Sequence, residues 1–322
     1  MSTQFGYVML CLLLLIYRQI YDTFITATGQ RRVIFKGVNS MTYIADETLE
    51  KILKEDVPYL DLTTHIMGIG EQRGRIRYFG REEMVLCGSE EAARIAGKLQ
   101  LDVIKMLPSG TKTAPNEVFF EAQGTADHLH MFWKAVMNIF EYCSGIATRT
   151  RKLVDQAAKG NPHISIVSTR KNFPGTKELS IKAVLCGGGL PHRLGLSETV
   201  LIFKQHRNFI GDDEQFSKLV PALKAKACEK KILAEAESIE EAIRFCKAGI
   251  DGVQFDKIPA VDLQRYVQTL RAINPKLVIL AAGGIQENNI EEYAKTGIDA
   301  IVTTAVYFGK PADIGCRMEM DK

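Results

Sequence analysis

The second half of this 322-residue chain alternates short apolar runs with helical segments. The runs are ISIVST, TVLIF, KILAEA, GVQF, LVILAA and AIVTTAV, and one segment between them, Ile239–Ala248, carries apolar residues at helical spacing. Short apolar runs separated by helices are typical of strand–helix units in a parallel sheet. The alternation therefore predicts an α/β fold for this half of the chain.

Polar residues or glycines follow each of these runs. They are Arg170 and Lys171, Lys204 and His206, Glu235, Asp256 and Lys257, Gly283 and Gly284, and Thr303 and Thr304. A closed β/α barrel gathers the carboxyl ends of all its strands around one mouth, whereas an open sheet brings only a few of them together. We expect a β/α barrel with its functional groups at that mouth.

Basic residues are concentrated after the first of these runs. Arg170, Lys171, His192 and Arg193 would give the mouth a local positive charge that suits an anionic substrate. The alternative is a set of solvated surface charges. The formal net charge is only +3, so we expect no nucleic-acid partner. The glycines of Gly187–Gly189 would allow backbone N–H groups to approach an anion, or a loop to close over it.

Two acidic residues end consecutive runs, so Glu235 and Asp256 are predicted to be neighbours at the mouth. Hard oxygen ligands suit Mg²⁺ carried in with a phosphate, or the hydroxyls of a ribose. The alternative is that they are ordinary salt-bridge partners of Lys171 or Lys257.

Glycines and threonines end the last two runs. Barrels of this kind build a phosphate site from their last strand ends, where backbone N–H groups at a helix N-terminus receive the charge. Gly283 and Gly284, followed by Thr303 and Thr304, are the candidates.

The first half of the chain has a different pattern. Alternation in RIRYFGREEMVLCG and NEVFFEA predicts half-buried strands, and the proline-free stretch Thr125–Lys152 predicts one or two buried helices. We expect an α+β domain over residues 41–155, which the long helical stretch joins to a barrel domain over 156–307.

The first forty residues contain an apolar run, Phe5–Tyr17, of 13 residues. A bilayer-spanning helix needs about 20, and the flanks do not match a secretory signal. Residues 1–40 are therefore an over-extended start, a peripheral anchor or partner helix, or a real span, and membrane contact is expected only if this leader is real. The seven cysteines form no C-x-x-C pair, so we expect a reducing, cytoplasmic compartment.

An ordered set of motifs over Asp46–Asp313 resembles the quinolinate phosphoribosyltransferases. The motifs are EDVPYLDLTT, NIFEYCSGIAT, TRKNFPGTKEL, GGGLPHRLGL, AEAES, QFDK and AAGGI. Within that superfamily, TVLIFKQHRNF, VQFDK and TTAVYFGKPADI look most like the ModD branch, pyrophosphorylases linked to molybdenum transport.

The resemblance implies a type II phosphoribosyltransferase fold, an N-terminal α+β sandwich followed by an incomplete parallel β/α barrel. It assigns residues 41–155 to the N-terminal α/β sandwich domain, with the tail 308–322 completing it. It also implies phosphoribosyl pyrophosphate (PRPP) and Mg²⁺ as ligands, and a homodimer whose sites are completed by the partner's N-terminal domain. Residues matching the positions around the acidic substrate and pyrophosphate are Arg170, Lys171, His192 and Arg193. Glu235 and Asp256 match the acids near the ribose and metal, and Gly283, Gly284, Thr303 and Thr304 match the 5′-phosphate region. Catalysis is assigned to Lys171, Glu235 and Asp256.

Two positions depart from the family pattern. Phe203 replaces the lysine of the family motif LIKDNH, and Lys134 replaces an arginine; in the family both positions help to grip a dicarboxylate. Lys204, one residue along, is expected on the opposite strand face. The leading hypothesis is therefore a ModD-type enzyme with another anionic nitrogen acceptor, bound in part by Lys134. The alternatives are a true nicotinate-nucleotide diphosphorylase in NAD biosynthesis, and a phosphate-binding barrel in metal transport that has no turnover.

Overall fold

The computed structural model describes residues 21–25, 31–35 and 42–321. Two compact units divide the chain: residues up to Gly145 together with those from Pro311 onward, and Ile146–Lys310. The sequence placed these boundaries at 155/156 and 307/308. Phe5–Tyr17, the apolar run of the predicted leader, lies outside the described residues.

The first unit is built around an antiparallel sheet. Its elements are β1 (Tyr21–Ile25), β2 (Arg31–Phe35), α1 (Asp46–Asp56), α2 (Leu62–Met67), β3 (Arg73–Gly80), β4 (Met84–Val85), α3 (Ser89–Lys98), β5 (Asp102–Met106), β6 (Lys112–Thr113), β7 (Val118–Thr125), the first part of α4 (Ala126–Gly160) and β15 (Ile314–Met320). The sheet order is β15-β3-β7-β5. Alternate residues of β3 are buried, as the sequence pattern predicted. The tail belongs here because β15 pairs with β3.

Aromatic side chains fill the core of this unit. Tyr78, Phe119, Phe120, Phe132 and Phe140 are fully buried, and the Tyr78 and Phe140 ring centroids are 5.3 Å apart. The Tyr78 hydroxyl donates a hydrogen bond to the Trp133 carbonyl at 2.8 Å, so its polar atom is satisfied.

The second unit is an incomplete parallel barrel, as predicted. Its elements are the rest of α4, β8 (Ser165–Ser168), α5 (Lys177–Cys186), β9 (Leu190–Pro191), β10 (Val200–Ile202), α6 (Lys204–Arg207), α7 (Asp213–Lys226), β11 (Ile232–Ala236), α8 (Ile239–Lys247), β12 (Gly252–Asp256), α9 (Ala260–Ile273), β13 (Val278–Ala282), α10 (Ile290–Ala294) and β14 (Ala300–Thr303). The strand order is β10-β11-β12-β13-β14-β8-β9, with parallel pairing throughout. Because β9 and β10 form the two edges, the barrel stays open between them.

The barrel interior is apolar below its mouth. Val167, Leu280, Ala282, Ala300 and Val302 form one buried cluster, against which Leu233 packs. Successive side chains of a strand alternate between its faces. Glu235, two residues after Leu233, therefore points to the same side, and its register partner is Gln254.

The prediction for Lys204 is wrong. Strand β10 ends at Ile202, and Lys204 begins α6. The Phe203 N–H donates to His206 Nδ1 at 3.0 Å, which closes a turn where a strand was expected. Lys204 Nζ lies 2.6 Å from the Glu237 carboxylate.

Among the described residues, no helix combines the length and apolar character that crossing a bilayer requires.

Candidate active site

A cavity of about 620 Å³ lies at the carboxyl ends of the barrel strands. Ten of the eleven predicted site residues line it. They are Arg170, Lys171, His192, Arg193, Glu235, Asp256, Gly283, Gly284, Thr303 and Thr304. The eleventh, Lys134, lies on α4 in the first unit, where its Nζ is 4.6 Å from the centroid of the Trp133 ring.

Basic side chains form one wall. The loop after β8 carries Arg170 and Lys171, and its turn is held by Lys171 N–H donating to Thr169 Oγ1 at 3.2 Å. The His192 N–H donates to the Ser168 carbonyl at 3.0 Å, which fixes the next basic pair beside the strand end.

Burial, and then neighbouring positive charge, lower the pKa of two groups in this wall. Burial, and then the Arg193 charge, lower the pKa of His192 below its ordinary value. Burial and the Arg170 charge likewise lower the pKa of Arg193. Both shifts have the sign expected when cations are buried near each other. An anion bound here would therefore relieve repulsion between them.

An aromatic ring adjoins the basic wall. The Arg193 guanidinium carbon lies 5.5 Å from the centroid of the Phe203 ring, and the His206 ring stacks on Phe203 with centroids 5.8 Å apart. Phe203 thus presents an apolar face to the cavity, and the cation beside it is within the range of cation–π attraction.

Two carboxylates, those of Glu235 and Asp256, form another part of the cavity wall. Burial, followed by the charge of Asp256, raises the pKa of Glu235, and a hydrogen bond from Gln254 opposes that rise. Lys257 Nζ lies 3.7 Å from Asp256 Oδ2. Of the two alternatives for these acids, the salt bridge to Lys257 is thus present, while both carboxylates still face the cavity.

The donor set at this wall consists of hard oxygens. The described residues contain no group of three or more His, Cys, Asp or Glu that could hold a metal ion. Two carboxylates alone leave most of an octahedral Mg²⁺ shell to other ligands. The residues therefore fit a Mg²⁺ ion that shares its coordination with a bound phosphate.

The glycine loop after β13 lines the cavity. Gly283 and Gly284 have φ of 86° and 71°, in the left-handed region that favours glycine. A Cβ on Gly283 would lie 2.6 Å from Asp256 Oδ1, whereas one on Gly284 would face open space. The Asn289 side chain holds the loop, because it accepts from Gln286 N–H at 2.8 Å and donates to the Gly284 carbonyl at 3.1 Å.

The expectation of a helix N-terminus directly after these glycines is wrong. Helix α10 begins at Ile290 and has five residues. The exposed groups near Gly284 are therefore those of a loop. Thr303 Oγ1 donates to the Ile285 carbonyl at 2.8 Å, and Thr304 Oγ1 lies 3.0 Å from Thr169 Oγ1, so the two threonines tie this loop to the first strand.

The interpretation of Gly187–Gly189 as an anion-binding loop is also wrong. A Cβ on Gly187 would lie 2.5 Å from the Ala147 carbonyl oxygen, and one on Gly189 would lie 2.8 Å from Thr150 Cγ2. These glycines allow α5 and the following turn to pack closely against α4, and none of them lines the cavity.

Gln254 and Lys257 also line the cavity, although the sequence did not assign either to the site. Gln254 had a detectable signal, since it is a polar residue within the apolar run GVQF. Lys257 was noted as a polar residue after a strand and as a possible salt-bridge partner of the two acids, without a role of its own toward a ligand.

Comparison with known proteins agrees with this architecture. Residues 61–144 match the model of the quinolinate phosphoribosyl transferase N-terminal domain, and residues 146–317 match that of the C-terminal domain. The chain belongs to the quinolinate phosphoribosyl transferase family. As a member of this family it is a pentosyltransferase, as predicted.

Similar proteins in this family carry two different names. The "Putative pyrophosphorylase ModD" of Pasteurella multocida is 34% identical over 279 residues, which cover 87% of this chain and 99% of that protein. The nicotinate-nucleotide pyrophosphorylase (carboxylating) of Rattus norvegicus is 28% identical over 249 residues, covering 77% and 82%. The solved structure of the nicotinate-nucleotide pyrophosphorylase from Francisella tularensis superposes with a TM-score of 0.78 at 26% identity, covering 89% of this chain and 100% of that one.

Proposed function

We propose that the chain transfers phosphoribosyl from PRPP to an anionic nitrogen acceptor and releases pyrophosphate, as a ModD-type enzyme. The observation that carries this proposal is the composition of one cavity. A basic wall, a pair of acids and a glycine loop all line it. The basic wall is complementary to pyrophosphate, the acids to ribose, and the glycine loop to the 5′-phosphate.

The 5′-phosphate would bind at the glycine loop. A Cβ on Gly284 would have no neighbour within 4 Å, so a phosphate oxygen can approach the backbone on that side. Gly283, Thr303 and Thr304 complete this subsite in the proposal.

Glu235 and Asp256 would bind the ribose hydroxyls and Mg²⁺. Bound there, the ion would neutralise charge on the pyrophosphate. The carboxylates themselves accept hydrogen bonds from hydroxyls and stabilise positive charge on the sugar, because they lie beside it in a partly desolvated site.

Arg170 and Lys171 would stabilise the leaving group. In the transfer, the C1–N bond to the acceptor forms while the C1–O bond breaks, and pyrophosphate leaves with the electron pair of that bond. Cations held at the departing oxygens lower the barrier because they are in place before the charge develops. Holding donor and acceptor in line contributes a further proximity effect.

His192, Arg193 and Lys134 would bind the anionic acceptor. Lys134 belongs to the first unit, and we propose a homodimer in which the first unit of one protomer completes the site of the other. The acceptor would pass beside the Phe203 ring, which offers an apolar surface next to Arg193.

Nicotinate-nucleotide diphosphorylase activity in NAD biosynthesis is the second candidate. The names of the rat and Francisella relatives favour it. The Phe203 ring argues against quinolinate, since it presents no charge to a second carboxylate. A phosphate-binding barrel without turnover is disfavoured because both Glu235 and Asp256 face the cavity.

Calorimetric titration of the chain with PRPP, with and without Mg²⁺, tests the donor assignment. We expect saturable binding that Mg²⁺ strengthens. A folded protein that binds no PRPP under either condition would contradict the proposal.

A further inference from the structure

A buried amide in the wall of the cavity lacks part of its hydrogen bonding. Gln254, in the middle of β12, is 5% exposed and lines the cavity. Its Nε2 donates to Glu235 Oε2 at 3.3 Å. Its Oε1 has no partner in the part of the chain that the structure describes. A buried acceptor left in this way costs free energy of folding, so the position is better suited to a ligand than to the fold alone.

The chemistry of the pair fixes which way the amide points. An ionised carboxylate can only accept hydrogen bonds, so the amide nitrogen must face Glu235 and the oxygen must turn away from it. That oxygen can itself only accept. A phosphate oxygen is also an acceptor, so the missing partner is a hydroxyl or an N–H group.

We propose that Gln254 accepts a hydrogen bond from a ribose hydroxyl of the donor while its nitrogen positions the Glu235 carboxylate. This inference rests on the proposed function, because the ribose hydroxyls are the hydrogen-bond donors that PRPP offers. When PRPP binds, a small movement of the Gln254 side chain would bring its unpaired Oε1 within hydrogen-bonding distance of a ribose hydroxyl. Gln254 is thus a sugar-binding residue within a site whose other groups bind charge.

Gln254→Met in the full chain tests this role, because methionine has a similar length and no polar atom. Gln264→Met, at an exposed position of α9, is the matched control. Calorimetry would compare PRPP, ribose 5-phosphate and inorganic phosphate. We expect Gln254→Met to bind both ribose compounds about tenfold more weakly, as loss of one hydrogen bond predicts, and inorganic phosphate within about twofold of the parent. Its melting temperature should be no lower than that of the parent.

Each other outcome has a definite meaning. Unchanged affinity for PRPP in Gln254→Met would overturn the inference while leaving the proposed function intact. An equal loss for inorganic phosphate would also overturn it, since the residue would then be merely structural. A folded parent chain that binds no PRPP would overturn the proposed function and this inference together.

A second, independent observation concerns Lys257. Its φ of 58° places its backbone in the left-handed region. That region is unfavourable for residues other than glycine, asparagine and aspartate. Such strain persists where the surroundings enforce it, and it concentrates at ligand sites. The Lys257 N–H donates to the Ala282 carbonyl at 2.8 Å, which holds the strained turn against β13.

The strained backbone brings the lysine side chain across the glycine loop. Lys257 Cγ lies 2.6 Å from the point that a Cβ on Gly283 would occupy. The ammonium is 3.7 Å from Asp256 Oδ2 and the side chain is 78% exposed. A solvated cation on a flexible stem can leave such a loose pair without a large change in free energy.

We infer that Lys257 binds the 5′-phosphate of PRPP at the Gly283–Gly284 loop. On binding, its ammonium group would leave the Asp256 carboxylate and pair with the phosphate. This also rests on the proposed function. An ammonium added to backbone N–H groups makes a stronger phosphate site than the loop alone. The inference explains why a lysine, and no residue suited to this φ, stands here.

Lys257→Asn and Lys257→Arg in the full chain test it, with Lys276→Asn at an exposed loop position as the control. Asparagine tolerates the left-handed region, so the Asn variant should melt at or above the temperature of the parent. We expect it to bind inorganic phosphate and ribose 5-phosphate about tenfold more weakly, and the Arg variant to bind them within about threefold of the parent. Unchanged phosphate affinity in Lys257→Asn, or an equal loss in Lys257→Arg, would overturn the inference.

Discussion

The guanidinium of Arg193 lies over the ring of Phe203, with its central carbon 5.5 Å from the ring centroid. The contact occupies the part of the cavity where the family pattern would place a second cation. It leaves one side of Arg193 covered by an apolar surface. An acceptor bound beside this pair would therefore meet one charge and one ring.

Phe203→Lys should change which acceptor is bound. A second cation beside Arg193 suits a dicarboxylate, so we expect the variant to bind quinolinate about tenfold more tightly than the parent, as one added charge-assisted hydrogen bond predicts. Calorimetry with quinolinate measures this. Phe203→Leu, which removes the ring without adding charge, is the control and should show no such gain. Equal quinolinate affinity in all three proteins would contradict this view of Phe203.

Lys171→Ala should greatly reduce turnover and leave the fold intact. The side chain is exposed at the cavity, so its loss removes little packing. We expect kcat to fall by about 10²–10³, the range found when one group that stabilises developing negative charge is removed. Lys230→Ala, at an exposed position before β11, is the control. Unchanged kcat in Lys171→Ala would remove this residue from the mechanism.

His192 should make stability depend on pH. Its pKa is lowered in the folded state, chiefly by burial, so below about pH 6.5 the unfolded chain binds a proton that the folded chain does not. This contribution is complete above that value and is lost as the pH falls towards the folded-state pKa. We expect the unfolding midpoint in urea to drop between about pH 7.5 and 5.5, and to drop less in His192→Asn. An identical pH dependence in both proteins would contradict a lowered pKa of His192 in the folded state.

Arg207→Met should destabilise the barrel. The Arg207 side chain is 4% exposed, with ion pairs to Asp213 at 3.4 Å and Glu241 at 3.4 Å, and it donates to the Glu235 carbonyl at 2.7 Å. Breaking such a buried pair costs about 3–5 kcal/mol of unfolding free energy. Arg244 binds the same Asp213 but is 46% exposed, so Arg244→Met should cost about 1 kcal/mol or less. Similar losses in both variants, measured by urea unfolding, would contradict the role of burial.

The sequence could predict the place of site residues that follow a recognisable strand pattern. Glu235 and Asp256 end consecutive apolar runs, and parallel pairing places both at one mouth. Register explains this success, because parallel strands present their carboxyl ends on the same side.

Features that depend on tertiary contacts could not be predicted in this way. From the sequence alone, Gly187–Gly189 resembles an anion-binding loop, but its backbone packs on α4. Lys204 follows an apolar run, yet a local hydrogen bond from Phe203 N–H to His206 Nδ1 begins a helix there. The strained φ of Lys257 is equally invisible, since nothing in its neighbours along the chain demands it.

Release of pyrophosphate from PRPP with Mg²⁺ tests the central claim most directly, with quinolinate and a panel of other anionic nitrogen heterocycles as acceptors. We predict acceptor-dependent pyrophosphate release with at least one member of the panel other than quinolinate, and little or none with quinolinate. Rapid turnover of quinolinate would contradict the ModD-type assignment and make this a nicotinate-nucleotide diphosphorylase. PRPP binding without pyrophosphate release for any acceptor would contradict the claim of catalysis itself.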